Sequence, residues 1–298
     1  MIDFPRYLLA KRTVDDRALN RQVWQKLVEV LDSLGQEGPL RVLEVGCGIG
    51  TMVERIVEWG LTTRADYTGL DIDPEYIKVA LNRLGSWGKS QGWEAIQYPG
   101  KLDIQNEDRH WEIEFKVADI TTYQNEQKYD LVISHAFLDL LDIPKVLPKL
   151  KSMVCRGGLF YFTINFDGLT VFEPVSDPAL DAKIIRIYHQ TMDERLVNGE
   201  LSGDSRSGRH LFNYLRDIGA QVLAAGASDW VVFPTEDGYP ADEAYFLHCI
   251  LYFIENSLCR HPELDLEDLD RWFSERRSQI HNRTLSFIAH QLDFCGYF

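Results

Sequence analysis

Basic residues are scarce in this chain. Its 298 residues include 31 lysines and arginines against 46 aspartates and glutamates, which gives a formal net charge of −15. A protein that binds the phosphate backbone of a nucleic acid needs a basic face, so we expect no nucleic-acid partner, although a local basic pocket remains possible. The simplest explanation of the acidity is solubility.

Cysteine is also rare, and its spacing carries no metal signature. The sequence has five cysteines and no CxxC, HxxxH or HxH pair. An odd number of thiols without paired spacing is typical of a reduced protein and not of a disulfide frame or a zinc site. We therefore expect a cytoplasmic protein that binds no metal.

Long apolar runs are absent. No stretch reaches the ~18 apolar residues that would cross a bilayer, and charges interrupt residues 1–20 throughout, unlike a signal peptide. The sequence thus predicts no membrane partner, and it does not indicate an oligomeric state.

What the sequence does contain is an alternation of short apolar segments with helical ones. The predicted strands are 40–46, 65–73, 111–120, 129–137 and 157–166, and the predicted helices between them are 51–60, 74–84 and 143–154. Because the strands are apolar almost throughout, they should be buried on both faces of a parallel, doubly wound α/β sheet. In such sheets a ligand binds beyond the carboxyl ends of the strands.

The remaining segments are predicted to surround that sheet. Residues 1–39 are expected to form an N-terminal helical arm or lid, and residues 40–298 a single domain. Residues 85–110 are a polar insertion, for which a flap or a hairpin is expected. Helices within 167–220 and 240–282 are expected to enclose a substrate pocket.

The segment "RVLEVGCGIGTM" (41–52) predicts a loop that lies close to a ligand. Glycines stand at 46, 48 and 50, with Glu44 two residues before them. No Lys-Ser or Lys-Thr follows, as a P-loop would require, and a dinucleotide fingerprint would need its third small residue at Thr51. The spacing therefore favours a ligand without a diphosphate, and the alternative is a plain strand–helix turn.

Acidic residues end the next two predicted strands. Asp71 ends the second strand, where its carboxylate can accept hydrogen bonds from both ribose hydroxyls. Asp119 ends the third strand, where it can accept from the amine of adenine, with Ile72 and Ile120 on the two faces of the ring. These positions predict an adenosine-containing ligand.

In this order and at these spacings, "VLEVGCGIG", "GLDID", "VADI", "YDLVISHAFLDLL" and "GGLFYFTIN" resemble the class I S-adenosylmethionine-dependent methyltransferases. The specific motifs cover residues 40–166. The resemblance implies a Rossmann-like sheet of seven strands with an antiparallel last strand, interrupted by helical insertions in the C-terminal half. It also implies S-adenosylmethionine as cofactor and S-adenosylhomocysteine as product. The loop residues implied to lie around the methionine part are Glu44, Gly46, Cys47, Gly48 and Gly50.

The candidates for catalysis follow the fourth strand. His135 lies at its end and Asp139 four residues further on, so that both can face the methyl group, and His135 can also contact the cofactor. The alternative for His135 is a structural hydrogen bond that holds the loop.

A second candidate region is "SGDSRSGRHLF" (202–212). Arg206, Arg209 and His210 crowd the predicted start of a helix, where cations are unfavourable. An anionic acceptor bound there would relieve this, with His210 as a further candidate base and Tyr188 as a pocket residue. A solvated turn in which nearby aspartates pair with the arginines is the alternative.

Three functions are compatible with these patterns. The favoured one is methyl transfer to a small-molecule acceptor, because the surface is acidic and "SHAF" stands where many amino-methylating enzymes of DNA and protein carry an NPPY-like tetrapeptide. A binding or regulatory module that holds S-adenosylmethionine or S-adenosylhomocysteine without turnover is the alternative from another class. An NAD enzyme is disfavoured by Thr51.

Overall fold

A computed structural model describes residues 2–35, 38–197 and 199–298. Its α-helices are α1 (Phe4–Ala18), α2 (Arg21–Ser33), α3 (Thr51–Glu58), α4 (Pro74–Ser90), α5 (Ile143–Met153), α6 (Pro178–Asp193), α7 (Ser207–Asp217), α8 (Glu243–Leu258) and α9 (Leu266–His281). Its strands are β1 (Leu40–Val45), β2 (Arg64–Asp71), β3 (Glu94–Tyr98), β4 (Lys101–Gln105), β5 (His110–Val117), β6 (Tyr129–His135), β7 (Val154–Glu173), β8 (Leu196–Val197), β9 (Glu200–Leu201), β10 (Gln221–Ala227), β11 (Trp230–Val232) and β12 (Ser286–Tyr297).

The central sheet has the predicted Rossmann-like arrangement. Its strands follow the order β10-β12-β7-β6-β1-β2-β5-β4-β3. The strands β1, β2, β5, β6 and β7 are parallel, whereas β12 is antiparallel and lies between β7 and β10. Seven strands with an antiparallel last strand therefore form the core of the sheet, which confirms the predicted fold class.

The polar insertion at 85–110 extends this sheet. Residues 85–90 complete α4, and β3 and β4 form an antiparallel hairpin that pairs with β5. Leu102 and Ile104 alternate with polar residues on β4 and are buried beside Trp111 of β5. Because this apolar face is covered, the insertion is a hairpin and not a flap.

The strand β7 is longer than its predicted span of 157–166. It continues to Glu173 because β12, more than a hundred residues later in the chain, pairs with it along its length. Beyond the sheet edge the two strands form a ribbon that packs against α6, α8 and α9 in a second apolar cluster, in which Phe172, Phe246 and Phe287 are buried. This ribbon and its helices form a wall above the carboxyl ends of the parallel strands.

The N-terminal segment is two helices that pack against the rest of the chain. Asn20 separates them and caps α2 by accepting hydrogen bonds from the backbone N–H groups of Gln22 and Val23. The helix α1 contacts α8 and β11, and α2 contacts β10 and β12. The division at residue 39 remains a prediction; positions 1, 36 and 37 of the predicted arm, and position 198 of the predicted pocket segment, lie outside the described residues.

Within the described ranges, none of the helices combines the length and the apolar character needed to cross a membrane.

Candidate active site

A cavity of about 570 Å³ lies at the carboxyl ends of the parallel strands. Nine residues singled out in the sequence line it: Glu44, Gly46, Cys47, Gly48, Asp71, Ile72, His135, Asp139 and Tyr188. Six other residues from the sequence analysis belong to the part of the chain that the structure describes but do not line the cavity: Gly50, Asp119, Ile120, Arg206, Arg209 and His210. The structure thus brings together residues from α1, the glycine loop, β2, β6, α6 and the β7–β12 ribbon.

The glycine loop follows β1 and needs glycine for steric reasons. Gly46, Gly48 and Gly50 have φ angles of 70°, 50° and 74°, in the left-handed region that other residues rarely adopt. A Cβ atom on Gly46 would lie 2.3 Å from the ring of Phe137, and one on Gly48 would lie 3.1 Å from Leu8 of α1. Gly50 is the N-cap of α3 and supports the loop from outside the cavity.

Asp71 connects the end of β2 to this loop. Its Oδ2 atom accepts a hydrogen bond from the Gly48 N–H at 2.8 Å, and its Oδ1 atom accepts from the Asp73 N–H at 3.0 Å. Burial raises the pKa of this carboxyl above its usual value. The next residue, Ile72, is 68% exposed and presents an apolar side chain to the cavity.

Glu44 lies at the floor of the cavity, beneath the loop. It is only 2% exposed and forms a hydrogen bond with the Tyr67 hydroxyl. Burial raises the pKa of Glu44 to about 8. The carboxyl is therefore mainly protonated at neutral pH in the structure as it stands.

Asp119 and Ile120 follow β5 and do not line the cavity. The Oδ1 atom of Asp119 accepts hydrogen bonds from the backbone N–H and the hydroxyl of Thr121, both at 2.8 Å. Ile120 is 4% exposed and packs in the core with Leu70 and Leu147. The predicted contact of Ile120 with an adenine ring is therefore not supported, because its side chain faces the core.

His135 is held on both ring nitrogens. Its Nδ1 atom is 2.8 Å from Thr163 Oγ1, and its Nε2 atom is 3.0 Å from Asp15 Oδ2 and 3.1 Å from Arg55 Nη1. Burial lowers the pKa of His135 to about 3, so the ring is neutral. The predicted catalytic role of His135 is not supported; the alternative, a structural hydrogen bond, describes what it does.

Asp15, which the sequence analysis did not single out, organises a buried group of charges below the cavity. It accepts hydrogen bonds from Lys11 Nζ at 2.7 Å and from Trp230 Nε1 at 2.9 Å. Burial alone would raise the pKa of Asp15, but Lys11, His135 and Arg55 around it hold the pKa below its usual range. The i,i+4 spacing of Lys11 and Asp15 was the signal available in the sequence.

Asp139 lies in a short 3₁₀ turn after β6. Its Oδ1 atom is buried, and among the described residues it has no hydrogen-bond partner. Burial raises the pKa of Asp139 to about 6. Its backbone carbonyl accepts from Arg195 Nη2 at 3.0 Å, and Arg195 Nε donates to the Ser202 carbonyl at 2.7 Å. Asp139, Tyr188 and Arg195 all line the cavity.

The residues predicted to bind an anion at the start of α7 do not line the cavity. Asp167 of the β7–β12 ribbon accepts from Arg209 Nε at 2.8 Å, from Arg209 Nη2 at 3.0 Å and from the Arg209 backbone N–H at 2.8 Å. His210 Nδ1 lies 2.7 Å from Asp204 Oδ2, and Arg206 is exposed. The chain therefore supplies its own carboxylates to Arg209 and His210, which agrees with the alternative that nearby aspartates pair with the basic residues of this turn.

The comparison with protein families decides the identity of the domain. A family described as "Methyltransferase domain" matches residues 43–160, from β1 into β7. Residues 43–160 of the chain therefore form a methyltransferase domain. The family that the sequence motifs predicted is thereby confirmed.

Curated relatives of the methyltransferase domain carry related names. Malonyl-[acyl-carrier protein] O-methyltransferase 1 from Ilyobacter polytropus is 28% identical over 165 residues, which are 54% of this chain and 51% of that protein. Trans-aconitate 2-methyltransferase from Streptomyces avermitilis is 30% identical over 134 residues, 43% of this chain and 41% of that protein. The chain spans about half the length of the first relatives that it matches.

One solved structure shows a partial overall similarity to this chain. It is the S-adenosylmethionine-dependent methyltransferase from Thiobacillus denitrificans in complex with S-adenosylhomocysteine, 16% identical, with a TM-score of 0.47 and 99% of each chain covered.

Several cavity residues come from outside the matched methyltransferase segment. Lys11 and Trp230 flank the charged group around Asp15, and Arg195 and Gln291 follow the matched residues 43–160. Among the described residues, no group of three His, Cys, Asp or Glu side chains is arranged to hold a metal ion. The segments before and after residues 43–160 therefore supply several of the polar and aromatic side chains that line the cavity.

Proposed function

We propose that this protein transfers the methyl group of S-adenosylmethionine to a small-molecule acceptor that carries a negatively charged group. The observation that supports the proposal is a single cavity that joins the glycine loop and Asp71 to Arg195. The first two are the residues that the methyltransferase resemblance assigns to the cofactor. The third is a cation in a chain whose net charge is −15.

The glycine loop and its neighbours fit the cofactor. Gly46 and Gly48 have no side chains of their own, so a ligand can approach the loop backbone, and Ile72 offers an exposed apolar face beside Asp71. In this proposal Asp71 accepts hydrogen bonds from the ribose hydroxyls. Each of its carboxylate oxygens can accept a second hydrogen bond in addition to the one from the backbone N–H of Gly48 or Asp73. Glu44 lies beneath the methionine part, and Asp119 accepts from the adenine amine.

The cofactor, when bound, supplies an electrophilic methyl group on a sulfonium. The chain's own contribution is to fix the acceptor in line with that group and to exclude water, and positioning of this kind can supply ~7–11 kcal/mol. Apolar side chains from several elements do this, among them Phe137, Ile164, Phe166, Trp230 and Phe287.

Helix α1 closes the cavity over the glycine loop, in line with the predicted N-terminal lid. Phe4, Leu8 and Lys11 line the cavity, and the ring of Phe4 stacks on Tyr76 with centroids 5.3 Å apart. Asp15 anchors the other end of the helix. In this proposal residues 1–39 serve as the cover of the cofactor and residues 40–298 as the methyltransferase domain.

Arg195 is the residue that binds the charged group of the acceptor. Of the two cations that line the cavity, Lys11 is paired with Asp15 at 2.7 Å, whereas Arg195 has no carboxylate partner among the described side chains. Two backbone carbonyls hold its guanidinium in place, and its remaining N–H groups can grip a carboxylate or phosphate. Two relatives act on malonyl-[acyl-carrier protein] and on trans-aconitate, both of which carry carboxylates.

The proposal is tested first by binding and then by turnover. Isothermal titration should show affinity for S-adenosylmethionine and S-adenosylhomocysteine, and at least one member of a panel of carboxylic acids, with and without hydroxyl or amino groups, should yield S-adenosylhomocysteine. Arg195→Gln should raise the KM for the acceptor about tenfold or more, because a hydrogen bond to a charged group contributes about 1.5–3 kcal/mol, and it should leave cofactor affinity unchanged.

The matched control is Arg209→Gln, since that guanidinium binds Asp167 outside the cavity; its KM for the acceptor should equal that of the wild type. An unchanged KM in Arg195→Gln would remove the anionic group from the proposal. Tight cofactor binding with no product from any acceptor would instead support the alternative, a binding module without turnover.

A further inference from the structure

Two side-chain oxygen atoms of cavity residues have no hydrogen-bond partner within the described part of the chain. They are Asp139 Oδ1 and Gln291 Oε1; both are buried, and both residues line the cavity. Buried polar atoms are rarely left unpaired, so such atoms call for an explanation. A ligand that offers hydrogen-bond donors at these two points would provide it.

Gln291 is fixed in place by its backbone. It lies in β12 beside a register shift, its N–H donates to Asp229 Oδ1 at 3.3 Å, and its carbonyl accepts from the Ser228 N–H at 2.8 Å. The residue is 2% exposed. The backbone of Gln291 is therefore fixed by hydrogen bonds, and its side chain is a buried part of the cavity wall and not a mobile surface group.

Asp139 is held with comparable firmness. Its carbonyl accepts hydrogen bonds from Arg195 Nη2 at 3.0 Å and from the Asp204 N–H at 3.3 Å. Burial raises the pKa of its carboxyl to about 6, close to the range in which a general base works best at neutral pH. The titratable groups around it are Tyr7 and Lys11 of α1, Tyr188 of α6, and Arg195 and Asp204 of the segment after α6.

We infer that the methylated atom of the acceptor is a hydroxyl oxygen or an amine nitrogen, that Asp139 takes its proton, and that Gln291 accepts a hydrogen bond from a second donor on the same molecule. This inference rests on the proposed function and gives the acceptor a class: a hydroxy or amino acid whose carboxylate is bound by Arg195.

The step balances in atoms and charge. The oxygen or nitrogen forms a bond to the methyl carbon while the S–CH₃ bond breaks and its electron pair stays on sulfur. The O–H or N–H proton moves to the Asp139 carboxylate, so the positive charge of the sulfonium and the negative charge of Asp139 are both neutralised. A carboxylate nucleophile has no proton to give, and ionised Asp139 would repel it.

The test uses matched acids and S-adenosylmethionine with a deuterated methyl group. The probes are succinate, malate and aspartate as one set, and 3-phenylpropionate, phenyllactate and phenylalanine as another. The hydroxy or amino member should be methylated in preference to its parent acid. The labelled product should resist mild alkali, as an ether or N-methyl compound does, whereas a methyl ester would be hydrolysed and would overturn the inference.

Variants then test the role of Asp139. Asp139→Asn should lower kcat about 10²–10⁴-fold without changing S-adenosylmethionine affinity, and Asp139→Glu should recover part of the rate. In the wild type, kcat should rise between about pH 5 and pH 7 as Asp139 ionises. Asp142→Asn is the control: residue 142 caps α5 outside the cavity, and asparagine caps equally well. Wild-type kcat in Asp139→Asn would overturn the inference.

Binding provides a readout that does not depend on turnover. In calorimetry with the S-adenosylhomocysteine-loaded protein, the hydroxy and amino acids should bind more tightly than their parents, and Gln291→Leu should reduce this preference for aspartate and phenylalanine, whose nitrogen carries more than one N–H donor. Equal binding of parent and substituted acids, or no binding of any of them, would overturn the inference. Failure to bind S-adenosylmethionine at all would overturn the proposed function itself.

Discussion

At the scale of single residues, the buried acid Glu44 has a consequence for the stability of the protein. Its pKa is raised from 4.5 to about 8 because it is buried beneath the glycine loop. Between these pH values the folded protein keeps a proton that the unfolded chain has already lost. The contribution of Glu44 to stability therefore falls as the pH rises through this window, with a limiting slope of about 1.4 kcal/mol per pH unit.

This is checked by urea denaturation of the wild type and of Glu44→Gln from pH 5 to pH 8. Other buried groups titrate in the same range, with the opposite sign for His135, whose pKa is lowered to about 3. They are common to both proteins, so the difference between the two curves isolates Glu44. The free energy of unfolding of Glu44→Gln should increase relative to that of the wild type as the pH rises. If the two plots of unfolding free energy against pH are parallel, the raised pKa of Glu44 is contradicted.

At the scale of elements, α1 is held in place by the first residue of α8. Glu243 is fully buried and accepts hydrogen bonds from Thr13 Oγ1 at 2.7 Å and from both Nη atoms of Arg17, at 2.5 and 2.8 Å. Since α1 covers the glycine loop through Leu8, its anchoring to α8 should affect both stability and the binding of the cofactor.

We expect Glu243→Ala to lower the free energy of unfolding by about 1.5–3 kcal/mol, the range for a hydrogen bond to a charged group, and to weaken S-adenosylhomocysteine binding. Thermal denaturation and calorimetry measure the two effects. The neighbouring Asp242→Ala is the control, because its ion pair with Arg6 is largely exposed and such pairs contribute about 0–1 kcal/mol. Equal effects of the two variants would show that α1 is not anchored through Glu243.

At the scale of the whole molecule, the matched methyltransferase segment cannot complete its own sheet. Residues 43–160 provide β1, β2, β5, β6 and the first part of β7. The strand that covers the outer edge of β7 is β12, which pairs with it from Leu159 to Glu173. Without β12, a long apolar edge containing Phe160 and Phe162 would be unpaired.

A fragment of residues 1–176 should therefore aggregate, because an exposed apolar strand edge pairs readily with other chains. The full chain should unfold in one cooperative transition. Size-exclusion chromatography and thermal denaturation measure these properties, and co-expression of residues 177–298 should recover soluble protein. A monomeric fragment with its own cooperative transition would show that the C-terminal half is dispensable for folding.

The sequence predicts a feature well when the residues that determine it are close together in the chain, and poorly when they are far apart. The strand–helix alternation, the glycine loop and the acid at the end of β2 were all predicted. They follow from local rules: apolar runs of strand length, backbone angles that only glycine adopts readily, and the position of a residue at a strand end.

The sequence could not decide between the two roles considered for His135, since Asp15, the partner that fixes it, lies 120 residues away in the chain. The two alternatives for the basic start of α7 stayed open for the same reason, because the partner of Arg209, Asp167, comes from the preceding ribbon. Arg195 and Gln291 do not belong to any recognisable sequence motif. Their importance appears only when the chain folds around one cavity and leaves some polar atoms paired and others not.

The sequence by itself therefore determined the strand–helix alternation, the family resemblance and the glycine loop, since these depend on local residue patterns or on one residue's backbone preference. Tertiary structure alone decided which charges face the cavity with a partner and which without one. Pairing is a property of three-dimensional proximity: Lys11 is paired with Asp15 in its own helix, whereas Arg195 is held by two backbone carbonyls and has no carboxylate partner among the described side chains.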